Sequence, residues 1–259
     1  MAEIALMIHG TNGGGWTLEN FSQAFRERGW QVLAPDLRYH DRDPTAEPHP
    51  ELAGTGIQDY VDDLAALIEG MEAKPVLVGH SLGGVIAQKL AALGLARSIV
   101  LLNSSIVNGV LPSTAGERGV ARAFMAAGPF WETTVYRDFD LLAEAALNTL
   151  DPETQRAICE RLGHESGRVF FELFFWMFDE ARTTWIDPET VTCPVLVVAG
   201  AEDKGVSPQT ARKIAARYGE RATYHEVPGA CHYLMFDESW PETARFCLDW
   251  MERHWSETR

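Results

Sequence analysis

Ser81 stands in Gly79-His80-Ser81-Leu82-Gly83, a G-x-S-x-G pattern. The apolar run Pro75–Val78 precedes it, and residues with helical periodicity follow from Leu82. In that setting a serine sits on a tight strand-to-helix turn, with its hydroxyl lifted out of a sheet and free to attack a carbonyl. Such a turn has unfavourable backbone angles, and flanking glycines remove side chains that would clash there. Gly84 adds room for close helix packing. The helix N-terminus beside the serine favours negative charge as it develops.

A serine is a weak nucleophile at neutral pH. It needs a base, and the base needs a third group to orient it. Two later strand ends offer these partners in the chain order Ser, Asp, His. Strand Val195–Ala199 runs into Gly200-Ala201-Glu202-Asp203, and strand Thr223–Val227 runs into Pro228-Gly229-Ala230-Cys231-His232. Asp203 is preferred to Glu202 because it lies three residues past Gly200. His232 is the candidate base. His80 lies inside the elbow, with its ring expected to point away from the nucleophile. His40 and His49 fall in a polar, proline-rich loop, and His164 and His225 read as surface or packing residues. Cys231 adjoins the base but has nothing upstream to activate it, so it reads as packing.

The strand Ile4–Ile8 runs into His9-Gly10-Thr11-Asn12-Gly13-Gly14-Gly15-Trp16. A glycine-rich loop there could cradle phosphate. However, it lacks a Gly-Lys-Ser/Thr ending and the dinucleotide-binding spacing. An oxyanion loop fits better, since a tetrahedral oxyanion needs two preorganised N–H donors. The backbone amides of Thr11 and Leu82 are the candidates. His9 reads as a residue that braces this loop through nearby backbone.

Parallel strands and helices must position these groups. The strand readings are Ile4–Ile8, Gln31–Ala34, Pro75–Val78, Ser98–Leu102, Val195–Ala199 and Thr223–Val227. They are nearly continuous in apolar residues, which suits strands buried on both faces. Helices are expected over Thr17–Arg28, Asp59–Glu69, Leu82–Leu93, from Ser207-Pro208 to Tyr218, and over Pro241–Trp255. From Ile106 to Thr190 no strand is expected. Helices read over Ala115–Ala126, Asp140–Leu150, Pro152–Arg161 and Ser166–Phe178. The expected architecture is therefore α/β, a mostly parallel sheet of about six strands flanked by helices. Residues 1–105 and 191–259 form the core, and residues 106–190 an inserted helical cap.

Bulk properties narrow the partners. The chain has 259 residues, enough for one α/β domain with an insertion, and a formal net charge of -15. That charge repels a phosphate backbone, so nucleic acid is not an expected partner. No apolar run is long enough to span a membrane. The first residues read as a strand rather than a signal peptide. The four cysteines Cys159, Cys193, Cys231 and Cys247 form no metal-ligand spacing, and free thiols in a reducing, cytoplasmic compartment are expected.

His9-Gly10, Pro35-Asp36-Leu37-Arg38, Gly79-His80-Ser81-Leu82-Gly83-Gly84, Gly200-Ala201-Glu202-Asp203 and Gly229-Ala230-Cys231-His232 together resemble the α/β-hydrolase superfamily. The layout is similar to the small capped esterases, including the plant methylesterase and hydroxynitrile lyase group. The resemblance implies a triad of Ser81, Asp203 and His232, an oxyanion hole from the Thr11 and Leu82 amides, and no metal or organic cofactor. Where the family often continues its Asp-Leu-Arg segment with Gly-His-Gly, this chain has Tyr39-His40-Asp41, so that loop is expected to be reshaped. Serine at position 81 argues against haloalkane dehalogenases and epoxide hydrolases, which use aspartate there. Hydroxynitrile lyases carry lysine just after the histidine, and Tyr233 stands there instead, which argues against cyanohydrin cleavage.

The inserted segment is rich in large apolar residues, among them Phe124, Trp131, Phe139, Phe170, Phe171, Phe174, Phe175, Trp176 and Phe178. Cap-on-body packing accounts for most of them. Trp16, Trp131, Phe174, Phe175 and Tyr233 are candidate pocket residues. The expected substrate is a small to medium hydrophobic ester, hydrolysed through an acyl-enzyme by a monomer or homodimer. A lactonase, a thioesterase or a carbon–carbon hydrolase would use the same triad, and a non-catalytic ligand receptor is a further alternative.

Overall fold

Alternation of side chains across the strands splits the core into two faces, and this fixes the layering. In β1 (Ile4–Ile8), Leu6 and Ile8 pack to one side while Ala5 and Met7 pack to the other. The structure, a computed structural model, describes residues 3–126 and 128–256. After β1 come α1 (Glu19–Glu27), β2 (Gln31–Leu33), α2 (Ile57–Glu69), β3 (Val76–His80), α3 (Leu82–Ala92) and β4 (Ser98–Leu102). Then follow α4 (Ala115–Ala126), β5 (Thr134–Tyr136), α5 (Phe139–Ala145), α6 (Pro152–Arg161), β6 (His164–Ser166) and α7 (Gly167–Phe174). The chain returns to the sheet with β7 (Val195–Gly200), α8 (Pro208–Ala216), β8 (Ala222–Val227) and α9 (Trp240–Ser256).

Six strands form one sheet in the order β2-β1-β3-β4-β7-β8, and every neighbouring pair is parallel. One apolar face takes Tyr60 and Leu64 of α2, Val85 and Ile86 of α3, and Ile214 of α8. The other takes Phe21 and Phe25 of α1 and Leu248 and Met251 of α9. β1, β3, β4 and β7 are buried on both faces apart from Ile4, which explains their continuous apolar character. Strand order reverses between β1 and β3, so the loops after these two strands flank the switch point where open α/β sheets bind ligands.

The core strands agree with their sequence readings within a residue or two at each end. Residues 106–190 differ from the expected helices in several places. β5 and β6 pair antiparallel, Thr134 with Ser166 and Tyr136 with His164, so the segment holds a two-stranded ribbon as well as helices. Each strand is only three residues long, too short to carry a periodicity signal. The helix expected over Asp140–Leu150 ends at Ala145, and the one expected over Ser166–Phe178 ends at Phe174 and passes into a 3-10 turn at Trp176–Phe178. Met177 and Phe178 at the end of this segment are exposed. Among the described residues, no helix is long and apolar enough to cross a membrane.

Candidate active site

Ser81 occupies the turn between β3 and α3 with φ 52° and ψ −115°, a left-handed backbone that a non-glycine residue adopts at a cost of about 1–3 kcal/mol. Hydrogen bonds hold it there. Its N–H donates to the Leu102 carbonyl at 3.1 Å, and its carbonyl accepts from Gly84 and Ser105 N–H at 2.9 and 3.0 Å. The flanking glycines are required by close approach: a Cβ on Gly79 would fall on the Gly83 carbonyl, and one on Gly83 on the Ile8 carbonyl. The Ser81 hydroxyl pairs with the Ser105 hydroxyl at 3.1 Å. Among the described residues, it makes no hydrogen bond to His232.

Asp203 and His232 meet after β7 and β8. His232 Nδ1 donates to Asp203 Oδ2 at 2.7 Å. The other carboxylate oxygen, Oδ1, accepts the Gly205 and Val206 N–H groups, both at 2.8 Å. Both side chains are buried, and Glu202 is exposed. With its Nδ1 proton directed at Asp203, neutral His232 keeps an Nε2 lone pair as an acceptor.

Asn103 joins the strand ends that carry these two residues. Its Oδ1 accepts the Gly200 N–H at 2.8 Å, and its Nδ2 donates to the Cys231 and His232 carbonyls at 3.0 and 2.8 Å. It is fully buried with φ 45°. His80 Nε2 also donates to the His232 carbonyl, at 2.9 Å. Burial, reinforced by the neighbouring His232, holds His80 well below the usual histidine range. It is thus a neutral support for the loop that carries His232. Glu117 of α4 braces the loop after Asp203, accepting the Ser207 N–H at 2.9 Å and the Thr114 N–H at 2.7 Å. Burial opposes the Glu117 anion, but these hydrogen bonds and one from Thr210 hold its pKa below the usual carboxylate value. Asn103 and Glu117 went unrecognised in the sequence. Asn103 closes an apolar strand after Leu102, which is a local sign of a structural role but not of its partners.

The loop after β1 turns tightly, with Gly13 N–H donating to the Gly10 carbonyl at 3.4 Å across Thr11 and Asn12. His9 braces it, as its sequence reading expects. His9 Nε2 accepts the Leu37 N–H at 2.9 Å while Nδ1 donates to the Gly10 carbonyl at 2.8 Å. Burial, and next the nearby His40, push His9 down to about 3. Both ring nitrogens are engaged, so His9 has no free base function. Thr11 lines the cavity above Ser81, and Leu82 is the first residue of α3, whose N–H has no intrahelical acceptor.

That cavity has a volume of about 140 Å³. Ser81, Ser105 and His232 lie on its floor, and Val120, Phe124, Val135, Leu141, Leu142, Phe170 and Phe174 give it apolar walls. Of the candidate pocket residues, Phe174 and Tyr233 line it. Trp16, Trp131 and Phe175 do not. Trp16 borders a neighbouring polar cleft, where the Arg161 guanidinium lies 3.9 Å from its ring centroid. Trp131 is 43% exposed, and Phe175 packs against Phe130 and Phe171. Helical spacing fixed which aromatics belong to the segment but not which way each ring faces.

A second polar cluster lies beneath the ribbon. His40 Nε2 donates to Glu165 Oε2 at 3.2 Å and His40 Nδ1 to the Arg38 carbonyl at 3.0 Å, so both ring nitrogens donate and the ring is an imidazolium. Glu165 Oε1 accepts from Tyr60 Oη at 2.8 Å and from the Ser166 N–H at 2.7 Å. Burial opposes the His40 charge, but the Glu165 carboxylate outweighs it and the pKa rises. Burial likewise opposes the Glu165 anion, but His40 outweighs it and the pKa falls. The reshaped loop expected at Tyr39-His40-Asp41 thus buries its histidine as an anchor for β6 rather than leaving it in a polar surface loop.

A family model described as "Alpha/beta hydrolase family" matches residues 5–246. None of the curated proteins compared matches the chain. Solved structures share the fold. A monoacylglycerol lipase from Paleococcus ferrophilus superposes with a TM-score of 0.70 at 20% identity, covering 97% of this chain and 94% of its own. The methylesterase MES16 from Arabidopsis gives 0.72 at 15% identity, with 97% and 99% covered. Tomato methylketone synthase I, complexed with 2-tridecanone, gives 0.73 at 14% identity, with 98% and 99% covered. With a six-stranded parallel sheet, a strained serine elbow and a family match over most of its length, the chain belongs to the alpha/beta hydrolase family.

Proposed function

We propose that this protein hydrolyses carboxylic esters through an acyl-enzyme on Ser81. The observation that carries the reading is the 2.7 Å Asp203–His232 pair, which leaves the His232 lone pair free in the same apolar cavity as the strained Ser81. On substrate binding, the Ser81 hydroxyl leaves Ser105 for His232 Nε2. Ser81 Oγ then bonds to the carbonyl carbon as its proton passes to His232. The carbonyl oxygen takes up negative charge and sits against the Thr11 and Leu82 amides, each such donor lowering the barrier by about 2.7–4 kcal/mol. Collapse breaks the bond to the alcohol, and His232 returns the proton to the leaving oxygen. Water, deprotonated by the same histidine, then splits the acyl-enzyme. Asp203 orients the ring and stabilises the imidazolium throughout.

Residues 106–190 act as a cap over the strand ends in this reading, supported by the Phe124, Phe170 and Phe174 walls they contribute. A cavity of about 140 Å³ suits an acyl group close in size to a benzene ring. The substrate is therefore a hydrophobic ester with a short acyl chain. A panel of p-nitrophenyl esters from acetate to decanoate, with lactones and thioesters alongside, tests this. Acetate to butyrate should be turned over fastest among the p-nitrophenyl esters. No turnover of any ester, or full activity in Ser81→Ala, would overturn the reading. The free Cys159, Cys193, Cys231 and Cys247 fit a reducing compartment.

A further inference from the structure

Asn12 is the residue next to Thr11, and its side chain is spent away from its own loop. Nδ2 donates one proton to the Val135 carbonyl in β5 at 3.1 Å and the other to the Gly163 carbonyl just before β6 at 3.0 Å. The Asn12 carbonyl accepts the Gly163 N–H at 2.8 Å. One buried residue therefore joins both strands of the ribbon to the loop after β1. Its φ of 61° is a left-handed conformation that asparagine tolerates better than most residues. Backbone preference alone accounts for asparagine in the turn. It does not account for both amide protons being used on carbonyls 123 and 151 residues away.

The ribbon roofs the cavity. Val135, Tyr136 and Arg137 line it together with Ser81 and His232. A second anchor, Glu165, ties β6 to Tyr60 and His40 on the body. With Glu165 as one fixed point, the Asn12 bonds decide how closely β5 lies over the cavity. Thr11 and Asn12 are the two central residues of the Gly10–Gly13 turn, so a displacement of Asn12 turns the Thr11 peptide as well.

We propose that Asn12 is a positioning residue that clamps the β5–β6 ribbon over the Ser81 cavity and thereby aims the Thr11 N–H at the reacting carbonyl oxygen. The clamp rests on the contacts above, and its catalytic consequence rests on the ester-hydrolase reading. Closing the roof and setting the oxyanion donor become one event, because the same side chain controls both.

Two variants test this in the full chain. Asn12→Gly keeps the left-handed backbone without strain and removes only the amide. Asn12→Asp keeps the shape but replaces the donor with an acceptor facing two carbonyls. The first readout is amide hydrogen exchange. Peptides covering 134–137 and 163–166 are expected to exchange at least about tenfold faster in both variants, while β3 and β4 are unchanged. The second is inhibition by a short methyl trifluoromethyl ketone, which forms a tetrahedral adduct on a serine. Its affinity should fall about tenfold, with kcat falling more than KM rises. A role confined to holding the ribbon would change exchange but leave the inhibitor's affinity in place, and that result overturns the link to Thr11. Wild-type exchange in both variants overturns the clamp. If the unsubstituted protein neither hydrolyses esters nor takes up a phosphonate, the hydrolase reading fails, and the exchange data still decide the clamp.

Discussion

The Ser81 and Ser105 hydroxyls are hydrogen-bonded to each other at 3.1 Å, so the proposed nucleophile rests against a neighbouring serine rather than against His232, its proposed base. Ser105 also donates its backbone N–H to the Ser81 carbonyl, and it is 5% exposed on the cavity floor. Catalytic hydrogen bonds are often long or misaligned in unliganded sites and tighten when substrate binds. The Ser105 contact gives a reason for that here, because it competes with His232 for the Ser81 hydroxyl.

Removing the competitor should therefore help the first step. A neutral hydrogen bond contributes about 0.5–1.5 kcal/mol. Ser105→Ala is expected to speed inactivation by a fluorophosphonate by roughly two- to tenfold, measured as a second-order rate at fixed pH. A tenfold slowing would instead make Ser105 a participant in attack.

Asn103 makes a different demand, since its amide joins Gly200 to Cys231 and His232. Asn103→Asp keeps the acceptor and the left-handed preference but loses the donor to two buried carbonyls. Chemical denaturation should report a loss of about 1–3 kcal/mol. Ester turnover should fall by about a hundredfold from misplacement of the base loop. Normal turnover with reduced stability would confine Asn103 to folding.

The buried His40–Glu165 pair makes stability depend on pH at both ends. His40 has a raised pKa in the folded state, so its contribution is full below its unfolded value near 6.5 and is lost as pH rises through the raised value. Glu165 has a lowered pKa, so its contribution is full above its unfolded value near 4.5 and is lost as pH falls through the lowered value. The pair should stabilise most between these two unfolded values. Thermal melting of wild type and Glu165→Gln from pH 4 to 9 checks this. The variant should be less stable by about 3–5 kcal/mol within that window, and the gap should narrow above it. A gap independent of pH would mean that the pair is not ionised.

Asp203→Asn tests the orienting acid. The Gly205 and Val206 N–H groups can still find an oxygen acceptor, but the anion facing His232 Nδ1 is gone. kcat is expected to fall by about 10⁴-fold with little change in the melting temperature. A fall below tenfold would point to Glu202 or another group as the acid.

Much of this was legible in the chain. Ser81 and Asp203 follow strands whose residues are buried throughout, His232 follows the partly polar edge strand β8, and parallel sheets put such strand ends on one edge. The residues that hold these groups in place were not legible. Asn12, Asn103 and Glu117 act through backbone partners up to 151 residues away, and no local pattern encodes such partners. The β5–β6 ribbon was missed because three-residue strands carry no period. The surroundings of His40 in sequence are polar and suggest a surface loop, while its surroundings in space are Glu165, Tyr60 and His9.

Ser81 is the proposed nucleophile and His232 its proposed base. Intact-mass and peptide analysis after treatment with a fluorophosphonate tests this pairing most directly. The expected result is one adduct, on the peptide carrying Ser81, absent in Ser81→Ala and slowed by about 10³-fold or more in His232→Ala. An adduct that persists in Ser81→Ala, or labelling of His232→Ala at the wild-type rate, would contradict the account.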